Sequence, residues 1–237
     1  MIAGPAAALG GRDRQDGAVP HDPSLPPPGR GPRRGPRTRP PGGSGRLRVV
    51  AGEARGRPLV APAGHRLRPT TGLVRGACFD ILGAEVVGAR VLDLYAGAGS
   101  LGIEAISRGA RTATFVERDR LALECLQANL ERLGFDDRGS VVRAAVVPWL
   151  RTAPRLADHD LILCDPPYLA TTGVEPTGEL VDALAVLGRR LAADAAAHTV
   201  VCEHHRAVTL PSRVGALECV RAARYGMTTL TFYRRAE

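Results

Sequence analysis

The chain has 237 residues, 44% of them apolar, enough for one sizeable core plus an appendage. Its 32 basic residues are all arginine and face 24 acids, so the net charge of +8 and pI ≈ 10.0 favour an anionic partner. No stretch approaches the roughly 18 apolar residues of a membrane span, and the start "MIAGPAAALGGRDRQ" lacks a signal-peptide pattern.

Residues 1–45 are dense in Pro, Gly and Arg and predict a disordered tail. Residues 46–88 predict a small extension. "RLRVVAGEARGRPLVAP" alternates around Gly52 and Gly56 as a hairpin would, and "HRLRPTTGLVRGACFDIL" predicts a helix capped by Thr70 or Thr71. From 89 to 237 the pattern is regular. Strands are expected at 90–94, 112–117, 140–144, 159–164, 198–203, 215–222 and 227–234, and helices near 100–108, 119–133, 146–152 and 177–192. This alternation predicts an α/β, doubly wound, Rossmann-like fold. Its sheet is mostly parallel and seven-stranded, with an antiparallel edge closed by a turn near Tyr225-Gly226. Cys78, Cys125, Cys164, Cys202 and Cys219 are scattered without a C-x-x-C pair, which predicts reduced buried thiols in a cytoplasmic protein and no metal site.

"VLDLYAGAGSLGIEA" sets Gly97, Gly99 and Gly102 in G-x-G-x-x-G spacing between a strand and a helix. Glycines allow a sharp turn and close approach of a ligand, and the helix start offers free N–H groups. Glu117 ends the second strand, 20 positions after Gly97, where an acid can accept hydrogen bonds from ribose hydroxyls. The turn therefore predicts an adenosine-containing cofactor. Asp93, four residues before Gly97, suits an ammonium or sulfonium and would repel a pyrophosphate, which favours S-adenosyl-L-methionine over a nicotinamide dinucleotide.

"LCDPPYLA" ends the fourth predicted strand in Asp165, Pro166, Pro167 and Tyr168. Successive prolines cannot continue a central strand, and they stiffen the residue before each. A carboxylate, the Pro166 carbonyl and a ring at one rigid corner suit a planar group bearing an NH2. Two acceptors hold its N–H donors while the tyrosine stacks on the ring, worth roughly 1–3 kcal/mol. The acceptors favour the partly positive nitrogen of the transition state, and Asp165 can take the released proton. Together the two motifs predict methyl transfer to an exocyclic amine.

The order "RVVAGEARGRPLVAP", "LRPTT", "VRGACFDIL", "DLYAGAGSLGIEAISRGA", "FVERD", "DPPY" resembles the RsmD-type 16S ribosomal RNA guanine-N2 methyltransferases over about 46–235. The resemblance implies S-adenosyl-L-methionine as donor and guanine N2 in small-subunit RNA, or an assembly intermediate of the small ribosomal subunit, as acceptor. It also implies a monomeric cytoplasmic enzyme that flips its target base. The implied catalytic set is Asp165, Pro166, Pro167 and Tyr168. The implied cofactor set is Asp93, Tyr95, Ala96, Gly97, Gly99, Gly102, Glu117, Arg118 and Ala145. The implied substrate side is Arg55, Arg57, Arg68, Thr70 and Arg75, set on a hairpin and loop at the pocket edge to neutralise RNA phosphates. Two departures stand out. Gly72 and Gly76 replace an Asp and a Glu of the family pattern, and Ala144 and Ala145 stand where an Asp or Asn usually meets the adenine amino group.

Other readings share parts of this pattern. A dinucleotide oxidoreductase uses the glycine turn but leaves "DPPY" without a role. Adenine-N6 and protein glutamine methyltransferases also use Pro-Pro-aromatic corners, more often opened by Asn. A non-enzymatic RNA-binding or ribosome-assembly factor is the alternative raised by Gly72, Gly76 and Ala145. His204 and His205 are expected on the surface, and Trp149 is expected to pack a helix.

Overall fold

The computed structural model describes residues 47–62, 71–153, 156–166, 178–193 and 198–235. The expected tail at 1–45 lies outside them. Helix α1 (Thr71–Leu82) leads into β1 (Arg90–Leu94), α2 (Ser100–Ser107), β2 (Thr112–Glu117), α3 (Arg120–Leu133), β3 (Gly139–Arg143) and α4 (Val146–Thr152). Then come β4 (Leu161–Cys164), α5 (Gly178–Arg190), β5 (Thr199–His205), β6 (Arg213–Val214), β7 (Leu217–Tyr225) and β8 (Thr228–Arg235). The sheet runs β3-β2-β1-β4-β5-β8-β7-β6, parallel through β5 and antiparallel beyond it. This is the expected architecture, except that the two-residue β6 makes the sheet eight-stranded.

The central strands are mostly apolar because both their faces are covered, with Asp93 of β1 a buried exception. Val91, Leu161, Leu163 and Val201 pack under α1, α2 and α3, while Leu92, Leu94, Ile162 and Val200 pack under α4 and α5. Trp149 lies half-buried against this second core, as expected. Helix α3 shows the local logic. The Asp119 carboxylate accepts from the Ala122 N–H at 2.8 Å as an N-cap, and Gly134 ends the helix at φ 71°. Its stripe of Ala122, Leu126, Leu130 and Leu133 faces inward.

Helix α1 forms across Gly72 and Gly76, although each glycine costs roughly 0.5–1 kcal/mol against alanine. Burial of Val74, Cys78, Phe79 and Leu82 offsets that. A side chain at Gly72 would meet nothing within 4 Å, and one at Gly76 would rest 3.5 Å from Val50, so the missing acids leave room rather than a clash.

The expected hairpin is present. The Val49 N–H donates to the Arg57 carbonyl (3.0 Å), Leu59 to Leu47 (2.8 Å), and Arg48 bridges Pro58. It is fastened to the end of α2. The Ser107 hydroxyl accepts from the Ala54 N–H (3.0 Å) and donates to the Ala51 carbonyl (2.6 Å), while the Ser107 carbonyl accepts from the Glu53 N–H (2.8 Å). Gly52 lies so close that a Cβ would stand 1.8 Å from that carbonyl.

Candidate active site

The chain leaves β1 for β2 and β3 on one side, then returns to β4 on the other, so the crevice outside β1 and β4 is the switch point of the sheet. Leu94 and Cys164 are register partners there. The glycine turn after β1 and Asp165 after β4 are therefore neighbours, and the Asp165 N–H reaches towards the Leu94 carbonyl at 3.5 Å. By strand alternation Asp93, Leu163 and Asp165 share one face.

The three glycines do different work. Gly99 (φ 84°) starts α2, and a Cβ there would stand 2.4 Å from Leu126. A Cβ at Gly102 would stand 2.3 Å from the Phe115 ring, so these two serve close packing of α2. Gly97 (φ 55°) has nothing within 4 Å of the same point, which leaves its backbone open to a ligand. Tyr95 sits at φ 62°, a conformation uncommon outside glycine. Its hydroxyl donates to the Glu179 carbonyl at 3.4 Å, and burial raises its pKa. Ala96 is buried beside it.

Asp93 is 1% exposed. Its Oδ2 accepts from the Gly102 N–H at 2.8 Å, while Oδ1 has no partner among the described residues. Burial pushes its pKa up to about 8; the Gly102 N–H opposes this, and the Asp165 and Glu117 carboxylates add to it. A buried acid with an unanswered oxygen beside an open glycine fits a cationic ligand group and disfavours a phosphate.

Glu117 is held by backbone alone. Its Oε2 accepts from the Gly97 N–H (2.9 Å), and Oε1 accepts from Arg118 (2.7 Å) and Asp119 (2.8 Å). A carboxylate offers about four lone-pair sites, so one remains for a ribose hydroxyl unless the Gly97 bond is released. Arg118 is exposed beside it. Ala145 opens α4 at φ −74° and ψ 134° with no side-chain cap, and the Ala144 N–H donates to the Glu117 carbonyl at 3.0 Å. The position expected to meet adenine is thus at the crevice but carries no acceptor side chain.

On the acceptor side Asp165 is half-buried and Pro166 buried. Pro167, Tyr168, Arg68 and Thr70 lie outside the described residues. The other expected substrate contacts are corrected by the fold. Arg75 is 2% exposed and points inward, its Nε 3.4 Å from Glu104 Oε2 and its Nη2 on the Arg48 carbonyl. Arg55 and Arg57 belong to the hairpin turn at the C-terminal end of α2, where Arg57 donates to the Arg132 carbonyl. Helix α2 runs away from the crevice, so this turn sits at the opposite edge of the sheet from Asp165. His204 is also interior rather than on the surface, with Nε2 2.8 Å from the Thr231 hydroxyl and its pKa lowered by burial.

Two positioning residues went unmarked. Glu104 accepts from the Val50 and Ala51 N–H groups at 2.7 and 2.9 Å. Asn129 accepts from the Val60 N–H (2.7 Å) and donates to the Val60 (2.9 Å) and Ala98 (3.0 Å) carbonyls, tying the glycine turn to the strand leaving the hairpin. An asparagine on the apolar stripe of "LQANLERL" is the trace it leaves in sequence. Among the described residues no cluster of His, Cys, Asp or Glu could hold a metal, and no helix is long and apolar enough to cross a membrane.

Sheet order, glycine turn and the acid at the end of β4 together define a class I methyltransferase fold. The family described as "Conserved hypothetical protein 95" matches residues 47–234, and the chain belongs to it, as an RsmD-type methyltransferase. YlbH of Bacillus subtilis is 36% identical over 190 residues, 80% of this chain and 99% of that protein. Ribosomal RNA small subunit methyltransferase D of Escherichia coli (strain K12) is 40% identical over 126 residues, 53% of this chain and 62% of that protein. Among solved structures, yhhF from Escherichia coli superposes with TM-score 0.66 at 28% identity, over 81% of this chain and 99% of that one. The Thermus thermophilus 16S rRNA N2 G1207 methyltransferase RsmC, in complex with AdoMet and guanosine, shares the fold at TM-score 0.58 and 22% identity, over 73% of this chain and 45% of that one.

Proposed function

We propose that the chain methylates the exocyclic N2 amine of a guanine in 16S ribosomal RNA, using S-adenosyl-L-methionine, as a cytoplasmic monomer. The observation that carries this reading is the pairing of Asp165 with the glycine turn across adjacent ends of β4 and β1, on the face where buried Asp93 keeps an unpartnered oxygen. The relatives named for ribosomal RNA support the substrate class. Asp93 and Glu117 would hold the ammonium and ribose of the cofactor, which supplies an electrophilic methyl group when bound. Asp165 and the Pro166 carbonyl accept the two N–H bonds of the amine, aim its lone pair, and Asp165 takes the proton released.

The test is methyl transfer to small-subunit RNA followed by nucleoside analysis of the product. Asp165→Ala should lower turnover at least about tenfold, roughly 1.4 kcal/mol of transition-state stabilisation, with cofactor affinity within a few-fold. Undiminished turnover would remove Asp165 from the chemistry, and N6-methyladenosine as product would transfer the reading to the adenine enzymes.

Ala145 gives a second test. An Asp there would cap α4, worth about 0.5–2 kcal/mol, and offer the adenine amino group a charged acceptor, worth roughly 1.5–3 kcal/mol. Ala145→Asp should therefore raise the unfolding midpoint and tighten S-adenosyl-L-methionine about tenfold by calorimetry. Ala144→Asp is the paired comparison. Stabilisation without tighter binding in either variant would place the adenine elsewhere.

A further inference from the structure

Segment 205–227 carries four arginines, Arg206, Arg213, Arg221 and Arg224, and a single acid, Glu218. Its placement matters more than its count. Strand β5 is parallel to β4, β8 returns antiparallel, and β7 is antiparallel to β8. The end of β7 and the start of β8 therefore lie at the same edge as Asp165, and the register His205↔Thr228↔Tyr225 confirms their level. The Arg206 N–H donates to the Met227 carbonyl at 2.9 Å, which joins the segment after β5 to the β7–β8 turn as one rim. Three strand spacings of about 4.8 Å separate β4 from β7, roughly 14 Å.

Arg206 and Arg224 stand exposed on this rim, and neither has an ion-pair partner among the described residues. Some other arginines are answered by acids, as in Arg120–Glu124, Arg138–Glu53 and Arg234–Glu85. Arg111, Arg143, Arg151 and Arg189 are exposed with no ion pair among the described residues, so it is their place on the rim that singles out Arg206 and Arg224. Glu218 is of no help, since it is in register with Arg213 and Arg234 at the far end of the strands. Met227, 52% exposed between the two cations, adds an apolar surface of the kind bases rest on. By contrast the hairpin arginines sit at the opposite edge, and Arg75 is inside.

Building on the proposed function, we infer that the rim of Arg206 and Arg224 is where the phosphate backbone of the RNA lies while one base enters the crevice. Exposed cations along the same strand-end edge as Asp165, with Arg224 on the other face of the sheet by its register with Thr229 and His204, bind phosphates by releasing counterions, independently of sequence. This surface fixes where the strand leaves the pocket, and Asp165 then acts on the base it presents.

The test uses the full chain and a labelled transcript of small-subunit ribosomal RNA, titrated between roughly 50 and 200 mM salt. Arg206→Ala/Arg224→Ala should flatten the log–log slope by about 1.4–1.8 units, from roughly 0.7–0.9 per phosphate contact. Arg111→Ala/Arg189→Ala removes the same charge from exposed sites at the other edge and should leave the slope unchanged. Calorimetry with S-adenosyl-L-methionine should give one affinity for all three proteins. Equal slopes for wild type and the rim variant, or equal flattening in both double variants, overturns the inference while leaving RNA methylation by the wild type standing. A wild type that methylates no RNA removes the functional reading, and the rim with it.

Discussion

Glu104→Ala should destabilise the fold by about 3–5 kcal/mol, the usual result of removing one partner from a buried ion pair. Glu104 is 0% exposed and holds four groups at once: the Val50 and Ala51 N–H groups, Arg108 Nε at 2.8 Å and Arg75 Nε at 3.4 Å. Arg75 is already strained electrostatically. Burial pulls its pKa below the usual arginine range, Glu104 opposes that, and Nε and Nη1 have no hydrogen-bond partner among the described residues. Without the carboxylate, a buried cation and two backbone donors lose their acceptor together. Urea unfolding should show the midpoint falling with little change in slope. Arg75→Met/Glu104→Met should recover part of the loss, because it removes the orphaned Arg75 cation while the Val50 and Ala51 N–H groups still lack their acceptor. A single variant within about 1 kcal/mol of wild type would mean that water reaches the site and Glu104 is not a clamp.

The same residues explain how far the sequence could be read. Strand β4 announces itself as an unbroken run buried on both faces, and β1 and β2 as short apolar runs interrupted only by Asp93 and Thr114. The two-residue β6 has no periodicity to detect. The glycine spacing and the acid at the end of β4 are local, so their meeting follows once β1 and β4 are placed side by side. Glu104 and Asn129 are different. Their backbone partners are 31 to 69 positions away, and nothing in the local pattern of α2 or α3 points to them. The arginines fail for a related reason. Charge predicts exposure but not the edge of the sheet, and strand direction sends the hairpin turn away from the crevice while bringing Arg206 and Arg224 to it. Arg75 defies even the first rule, because Glu104 stabilises it inside.

Asp93 should make both stability and cofactor binding depend on pH, in opposite senses. Its folded pKa of about 8 lies above the ordinary value of 3.8, since burial disfavours the anion. Between those values the folded state holds a proton that the unfolded chain has released. The contribution to stability is therefore fully present below the unfolded pKa, declines as pH rises through this window, and is lost above about 8. Asp93→Asn should abolish that decline in thermal unfolding measured across the window. A cationic ligand prefers the anion, so S-adenosyl-L-methionine should expel the proton on binding. Its affinity should then tighten by up to about tenfold per pH unit between roughly 6 and 7.5, below the titration of the ligand's own ammonium. Calorimetry at pH 7 in two buffers of different ionisation enthalpy counts the proton directly. Close to one should be released by wild type and none by Asp93→Asn, whose weaker binding should be flat with pH. Equal proton release by the two proteins would take the titration away from Asp93 and leave it as a packing residue that fixes the start of α2 through the Gly102 N–H.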